Sequence, residues 1–138
     1  MVRAAPPRDF AWLYTRTGHL LSGAARAIEA VDDQGRIRGM VGYDDWTPNS
    51  VRMHVALESP GATRALFRPA FLYPFVEVGV SIALAVIVST NRQCMRLAKH
   101  LGFSEIHRVP GGWNEGADLV FFRLDRESCQ WILQRKAA

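Results

Sequence analysis

The sequence predicts one α/β domain, a mixed and mostly antiparallel sheet with helices on both faces. Three observations carry this. Ile82-Ala-Leu-Ala-Val-Ile-Val88 is an unbroken apolar run rich in β-branched residues, the pattern of a strand buried on both faces. Asn91 to Gly102 reads as a complete short helix. Asn91 is placed to cap it; Cys94, Leu97, Ala98 and Leu101 form one apolar stripe; Gly102 sits where a left-handed stop needs glycine. Upstream, Val51, Met53, Val55 and Leu57 alternate with Arg52, His54 and Ala56, the period of a half-buried strand.

The remaining elements follow in order. Residues 1–7 are expected to lack regular structure, because Pro6-Pro7 opposes it. Asp9 is a candidate cap for a short helix running to about residue 17, ended near Gly18. Residues 26–31 alternate weakly and read as a strand. Asp32-Asp33-Gln34-Gly35 is a turn. Ile37–Trp46 is a strand in which Gly39 and Gly42 mark a bulge or a close backbone approach. Thr47-Pro48-Asn49-Ser50 is a second turn, so the three strands ending at Leu57 should form an antiparallel meander. Ser59-Pro60 reads as cap and first residue of a helix with Phe67, Phe71, Phe75 and Val78 on one face. Pro69 and Pro74 should kink or break it. Ser104–Val109 and Ala117–Leu124 are strands joined by a long turn over 110–116. Asp125 is a candidate cap for a terminal helix reaching Lys136. Strands 51–57 and 82–88, joined through a helix, should run parallel by a right-handed crossover and separate at their carboxyl ends, where open α/β sheets receive ligands.

Composition narrows the function. The chain has 138 residues, 49% hydrophobic and 22% charged, which suits a single globular core. No apolar run is long enough for a membrane span, and MVRAAPPRDFAW has no signal-peptide core. The two cysteines lie on separate predicted helices, so a reducing cytoplasm is the expected compartment. A net charge of +4 fits either an anionic ligand or an ordinary solvated surface. No basic block with interleaved aromatics supports nucleic-acid binding. His19, His100 and His107 have no metal-ligand spacing, and no metal is expected.

The segment from Asn91 to Phe103 resembles the GNAT-type, acetyl-CoA-dependent N-acetyltransferases. Asn91, Cys94, Leu97, Gly102 and Phe103 match that family's pattern after its fifth strand, and the similarity spans roughly residues 26–131. The tail, Leu119 to Trp131, resembles a small subgroup found in phage and prophage genomes. The resemblance implies a GNAT-like fold and transfer of an acetyl group from acetyl-CoA to a small-molecule or protein amine; a homodimer is left open. It implies that Val55, Ala56 and Leu57 line the pantetheine arm, with a backbone N–H near Ala56 or Leu57 polarising the thioester carbonyl. It places the pyrophosphate at the helix start, where Gly61, Ala62, Thr63 and Arg64 offer a small-residue cradle with a cation. Asn91 completes the cofactor set. Two departures stand out. The family's full glycine loop is absent, and the position usually held by a thiolate-protonating tyrosine is Ala98.

His54 is then either the general base or a structural histidine, and Glu58 either a second base or a solvated charge. Asp44, Asp45 and Trp46 either hold a cationic amine or simply end a strand. Two rival functions remain: an acyl-CoA-binding module without turnover, and a basic domain that binds nucleic acid or protein.

Overall fold

A computed structural model describes residues 1–133. Its central meander is built by turn chemistry. The Asp32 carboxylate accepts the backbone N–H groups of Gln34 and Arg36 at 2.9 Å each, and Gly35 takes φ 79°. The Thr47 hydroxyl accepts the N–H of Ser50 at 2.9 Å. These turns set β2 (Arg26–Val31), β3 (Ile37–Asp44) and β4 (Ser50–Leu57) antiparallel, with Ile28 opposite Val41 and Val41 opposite Val55. β5 (Ile82–Val88) joins β4 in parallel, as expected. β6 (Ser104–Asn114) and β7 (Ala117–Asp125) complete the far side, and β1 (Val2–Ala4) edges the near side. The strand order is β1-β2-β3-β4-β5-β7-β6, and among the described residues β4–β5 is the only parallel pair.

Gly39 and Gly42 admit helices to opposite faces of β3. A Cβ on Gly39 would lie 2.9 Å from Leu66 Cδ1 and 3.2 Å from Ala62 Cβ, both on α2 (Pro60–Leu72). One on Gly42 would lie 2.7 Å from Leu13 Cδ2 of α1 (Phe10–Thr17). Close approach, one of the two expected reasons for these glycines, is the one found. α3 (Arg92–Leu101) shares the α2 face. Its Asn91 cap accepts the Cys94 N–H at 3.1 Å, and Gly102 closes it at φ 105° with Phe103 N–H bonded back to Ala98 O. The main core, including Tyr43, Leu66, Phe71, Phe75 and Phe122, lies between the sheet and these two helices; a smaller one around Leu13 and Met40 lies under α1.

Pro69 is carried inside α2, and Pro74 is the second residue of a π-helical stretch, Tyr73–Val78. Pro74 has no N–H to return to Ala70 O. The buried Tyr43 hydroxyl donates to that carbonyl instead, at 2.6 Å. The helix bends into a different register rather than breaking. Phe71 and Phe75 are buried as expected, whereas Val78 is exposed.

Several expectations need correction. Residues 1–7 are ordered: Val2–Ala4 pairs with β2, and Arg3 reaches the buried Glu29 at 3.3 Å. Backbone pairing, which is blind to side-chain period, holds this strand. Asp9 makes no side-chain cap; a 3-10 turn over Pro7–Asp9 leads into α1. The expected long turn over 110–116 is mostly strand, since β6 continues past a register shift to Asn114 and turns at Glu115-Gly116. The expected terminal helix is a 3-10 turn, Arg126–Ser128. Asp125 accepts from Arg123 rather than capping, and Trp131 Nε1–H donates to Leu101 O at 2.9 Å. Residues 134–138 of that expected helix lie outside the described residues. β5 is only partly buried, with Ala83 and Ile87 inside and the others intermediate. Beyond Leu84 the edge of β5 that faces β4 is left without a paired strand.

Candidate functional site

β4 and β5 pair over Ser50–Ile82, Val51–Ala83 and Arg52–Leu84, then part. Past that point β4 is held by β3, through Gly39–Leu57, and β5 by β7, through Val88–Leu119. The gap opens a cleft of about 430 Å³ that passes through the sheet. On the α2–α3 side its wall is apolar, with Leu66, Phe71, Leu97 and Phe103. On the α1 side it meets Arg16, His19, His54 and Glu58. Alternate main-chain groups of β4 beyond Arg52 turn toward the gap, where no strand meets them.

The polar end is assembled from three separate segments. Gly18 (φ 73°) stops α1 and turns the chain so that His19 lies against β3. The meander register puts Gly42 opposite His54 and Asp44 opposite Arg52, so Asp44 and His54 are diagonal neighbours on one face. Asp44 has no exposed surface. Its Oδ1 lies 2.7 Å from His54 Nε2, and its Oδ2 lies 2.8 Å from His19 Nε2 and 3.2 Å from the Ser22 N–H that donates to it. A carboxylate has no proton to give, so each Nε2 carries the hydrogen of its bond. His54 is 8% exposed. Burial pushes its pKa down to about 4, against the upward pull of Asp44, so its ring is neutral at pH 7. Burial alone would raise Asp44, but hydrogen bonds from His19 and His54 outweigh it and hold the carboxyl below its ordinary value. Beside this trio Arg16 Nε donates to Glu58 at 2.6 Å, with its guanidinium 3.8 Å from the Trp12 ring centroid.

The other candidates are dispersed. Val55, Ala56, Leu57 and Asn91 line the cleft, the Asn91 side chain being engaged in its cap. Glu58 stands at the mouth, paired with Arg16. At the start of α2, Pro60 has no N–H, and the Ala62 N–H is taken by Ser59 Oγ at 3.0 Å. The Thr63 N–H and hydroxyl both bond Ser59 O. Gly61 stands exposed with open space around it, and Arg64 is exposed without an ion pair among the described residues. The anion cradle expected there therefore reduces to Gly61 N–H and the Arg64 charge. Asp44, Asp45 and Trp46 do not converge. Asp44 is buried on the histidines; Asp45, at φ 52°, faces Arg52 at 3.7 Å; Trp46 packs against Tyr43 and Tyr73 beside a separate shallow hollow. His19, Ser22 and Arg16 were not candidates from the sequence, since their partners are distant along the chain. Cys94 lines the cleft as a thiol, its pKa raised by burial. Ala98 lies buried in the cleft wall.

His19, Asp44 and His54 are close enough to be considered as metal ligands. Their rings, however, stack at 3.8 Å and 9° from parallel. The lone pairs of parallel rings run side by side rather than converging, so the trio is a hydrogen-bonded unit. No helix of the described residues is long and apolar enough to cross a membrane.

No family model and no curated protein sequence matches the chain. Solved structures do. Spermidine/spermine N-acetyltransferase SpeG from Vibrio cholerae, in complex with manganese ions, superposes with a TM-score of 0.72 at 15% identity, covering 91% of each chain. The dodecameric spermidine N-acetyltransferase of the same organism, in an intermediate state, gives 0.72 at 15% identity over 92% of this chain and 94% of that one. A chimera of the Vibrio cholerae enzyme with hSSAT gives 0.74 at 15%, over 92% and 97%. The chain therefore has the fold of these N-acetyltransferases, the GNAT fold expected from the sequence.

Proposed function

We propose that this chain, built on the N-acetyltransferase fold, transfers an acetyl group from acetyl-CoA to an amine. The observation that carries the reading is the parting of β4 and β5 after three residue pairs. It leaves unpaired main-chain groups along a cleft open to both faces of the sheet, suited to a pantetheine arm lying like an added strand. Acetyl-CoA supplies the activated thioester carbonyl. Main-chain N–H groups near Ala56 and Leu57 orient that carbonyl and stabilise the charge on its oxygen. The phosphates rest near Gly61 and Arg64.

The amine approaches from the α1 side, where the polar groups are. The amine attacks as its free base. As its nitrogen bonds the carbonyl carbon, His54 Nδ1 takes the proton that nitrogen sheds, with Asp44 stabilising the resulting imidazolium. The C–S bond breaks to release the coenzyme A thiolate, which takes a proton from solvent. Glu58, tied to Arg16, shapes the mouth rather than serving as a free base. Polyamines head the acceptor panel because the structural neighbours are named for spermidine and spermine.

Calorimetry and thermal shift with acetyl-CoA test the cofactor, and thiol release across the amine panel tests the transfer. Binding should raise the melting temperature, since a ligand of the folded state alone stabilises it. Arg64→Glu should weaken binding by roughly 5–100-fold at low salt. No binding at millimolar acetyl-CoA sinks the reading. Binding without thiol release from any amine favours a second one, an acyl-CoA-binding module. Ala98 favours that alternative, because its side chain offers no proton to a departing thiolate.

A further inference from the structure

The turn after α1 brings a second imidazole to the same carboxylate. His19 and His54 stack with ring centroids 3.8 Å apart, and each donates Nε2–H to a different oxygen of Asp44. His54 is enclosed, with 7% of its side chain exposed, whereas His19 keeps 27% and borders solvent. Two imidazolium ions face to face over one carboxylate would repel, so a charge on one ring opposes a charge on the other.

We propose that His19 is a positioning residue for His54: by stacking on its ring and claiming one oxygen of the shared Asp44 carboxylate, it keeps His54 neutral with Nδ1 open to the cleft. The proposal rests on the reading of His54 as the base. Three consequences of losing His19 share one sign. The electrostatic opposition of His19 to a charge on His54 disappears, the Asp44 carboxylate is left wholly to His54, and water reaches a ring that was covered. Each favours the charged form of His54.

The other charged groups around the pair are accounted for by element. Arg52 of β4 opposes charging of His54 and is itself faced by Asp45 at the end of β3. Arg16 of α1 is neutralised by Glu58, the residue after β4. The β5 wall from Ala85 to Val88 is apolar, and α3 contributes the Cys94 thiol, kept protonated by burial. None of these changes when His19 is replaced.

The test is an NMR titration of the His54 ring in isotope-labelled protein, comparing wild type with His19→Ala and His19→Phe. The phenyl ring keeps the stack and loses the hydrogen bond. In His19→Ala the His54 pKa should rise by about one unit or more, and in His19→Phe by a smaller step. In turnover assays the acid limb of the kcat profile should move to higher pH by the same amount, while the high-pH plateau and the KM for acetyl-CoA hold. An unmoved His54 titration in both variants overturns the proposal and leaves His19 as packing. The titration needs neither cofactor nor acceptor. Absence of acetyl-CoA binding would therefore sink the transferase reading separately, without disturbing the measured coupling.

Discussion

Tyr43→Phe isolates the contact that lets a proline-bearing helix continue. The phenol donates to Ala70 O at 2.6 Å, and both residues are buried. In an unbroken α-helix that carbonyl would receive the N–H of residue 74, but residue 74 is proline. Replacing the hydroxyl with hydrogen leaves the ring in place and strands a buried acceptor. The cost should be about 1–3 kcal/mol, the desolvation penalty of an unpaired carbonyl rather than the smaller net value of a hydrogen bond. At this chain length that is a drop in Tm of roughly 3–4 °C per kcal/mol. Urea denaturation at pH 7 measures it directly, with an unchanged m-value confirming an intact fold. The companion variant is Pro74→Ala, which restores an N–H at the required position. In that background the Tyr43→Phe cost should shrink by about 1 kcal/mol, a coupling that a double-mutant cycle reads. A Tyr43→Phe cost below about 0.5 kcal/mol, or one identical in both backgrounds, would refute the reasoning.

Gly39→Ala should destabilise by about 1–3 kcal/mol in the same assay. Its new methyl would lie 3.2 Å from Ala62 Cβ, which is fixed to α2 and cannot swing away. Acid should weaken the protein in a definite window. Because burial lowers the His54 pKa from 6.5 to about 4, its stabilising neutral form is complete above 6.5 and its contribution is lost as pH falls toward 4. The loss is on the order of 3 kcal/mol. His54→Gln should flatten the stability profile between those limits; an unchanged slope would show that another group titrates. The Asp44 contribution, from a carboxyl held low, should be lost only at still lower pH. In the transferase reaction His54→Gln should lower kcat by roughly 10²–10⁴-fold with acetyl-CoA affinity retained, and near-wild-type turnover would make the histidine structural.

Much of the fold was legible because its signals are local. The alternation of residues 51–57, the apolar run 82–88 and the Asn91-to-Gly102 helix each carry their own period and punctuation. Their parallel pairing and divergence follow from topology. What escaped depended on partners far along the chain. β1 is three residues held by backbone bonds to β2, with nothing periodic to read. The expected terminal helix lost to Trp131, whose indole ties the chain to the end of α3. At the site, His54 was visible as a candidate, but its link to Asp44 depended on strand register. The Thr47–Ser50 turn alone does not supply that information: a hairpin centred there would set Asp44 against Met53, whereas the register, one residue off, sets Asp44 against Arg52 and Gly42 against His54. His19 had no such signal. It lies 25 residues from Asp44 and arrives through a loop.

The three-pair junction between β4 and β5 also makes the sheet a book with a short spine. One leaf is β1 to β4, the other β5, β7 and β6, and among the described residues the strand pairing between them is confined to Ser50–Arg52 and Ile82–Leu84. Each leaf is laddered along most of its length, so the seam is the line with the fewest strand-to-strand hydrogen bonds. An occupant that offers amide groups to both pages would knit that seam from spine to margin. Filling the cleft and stiffening the sheet are then the same event, felt across both halves of the chain rather than only by the side chains that touch the occupant.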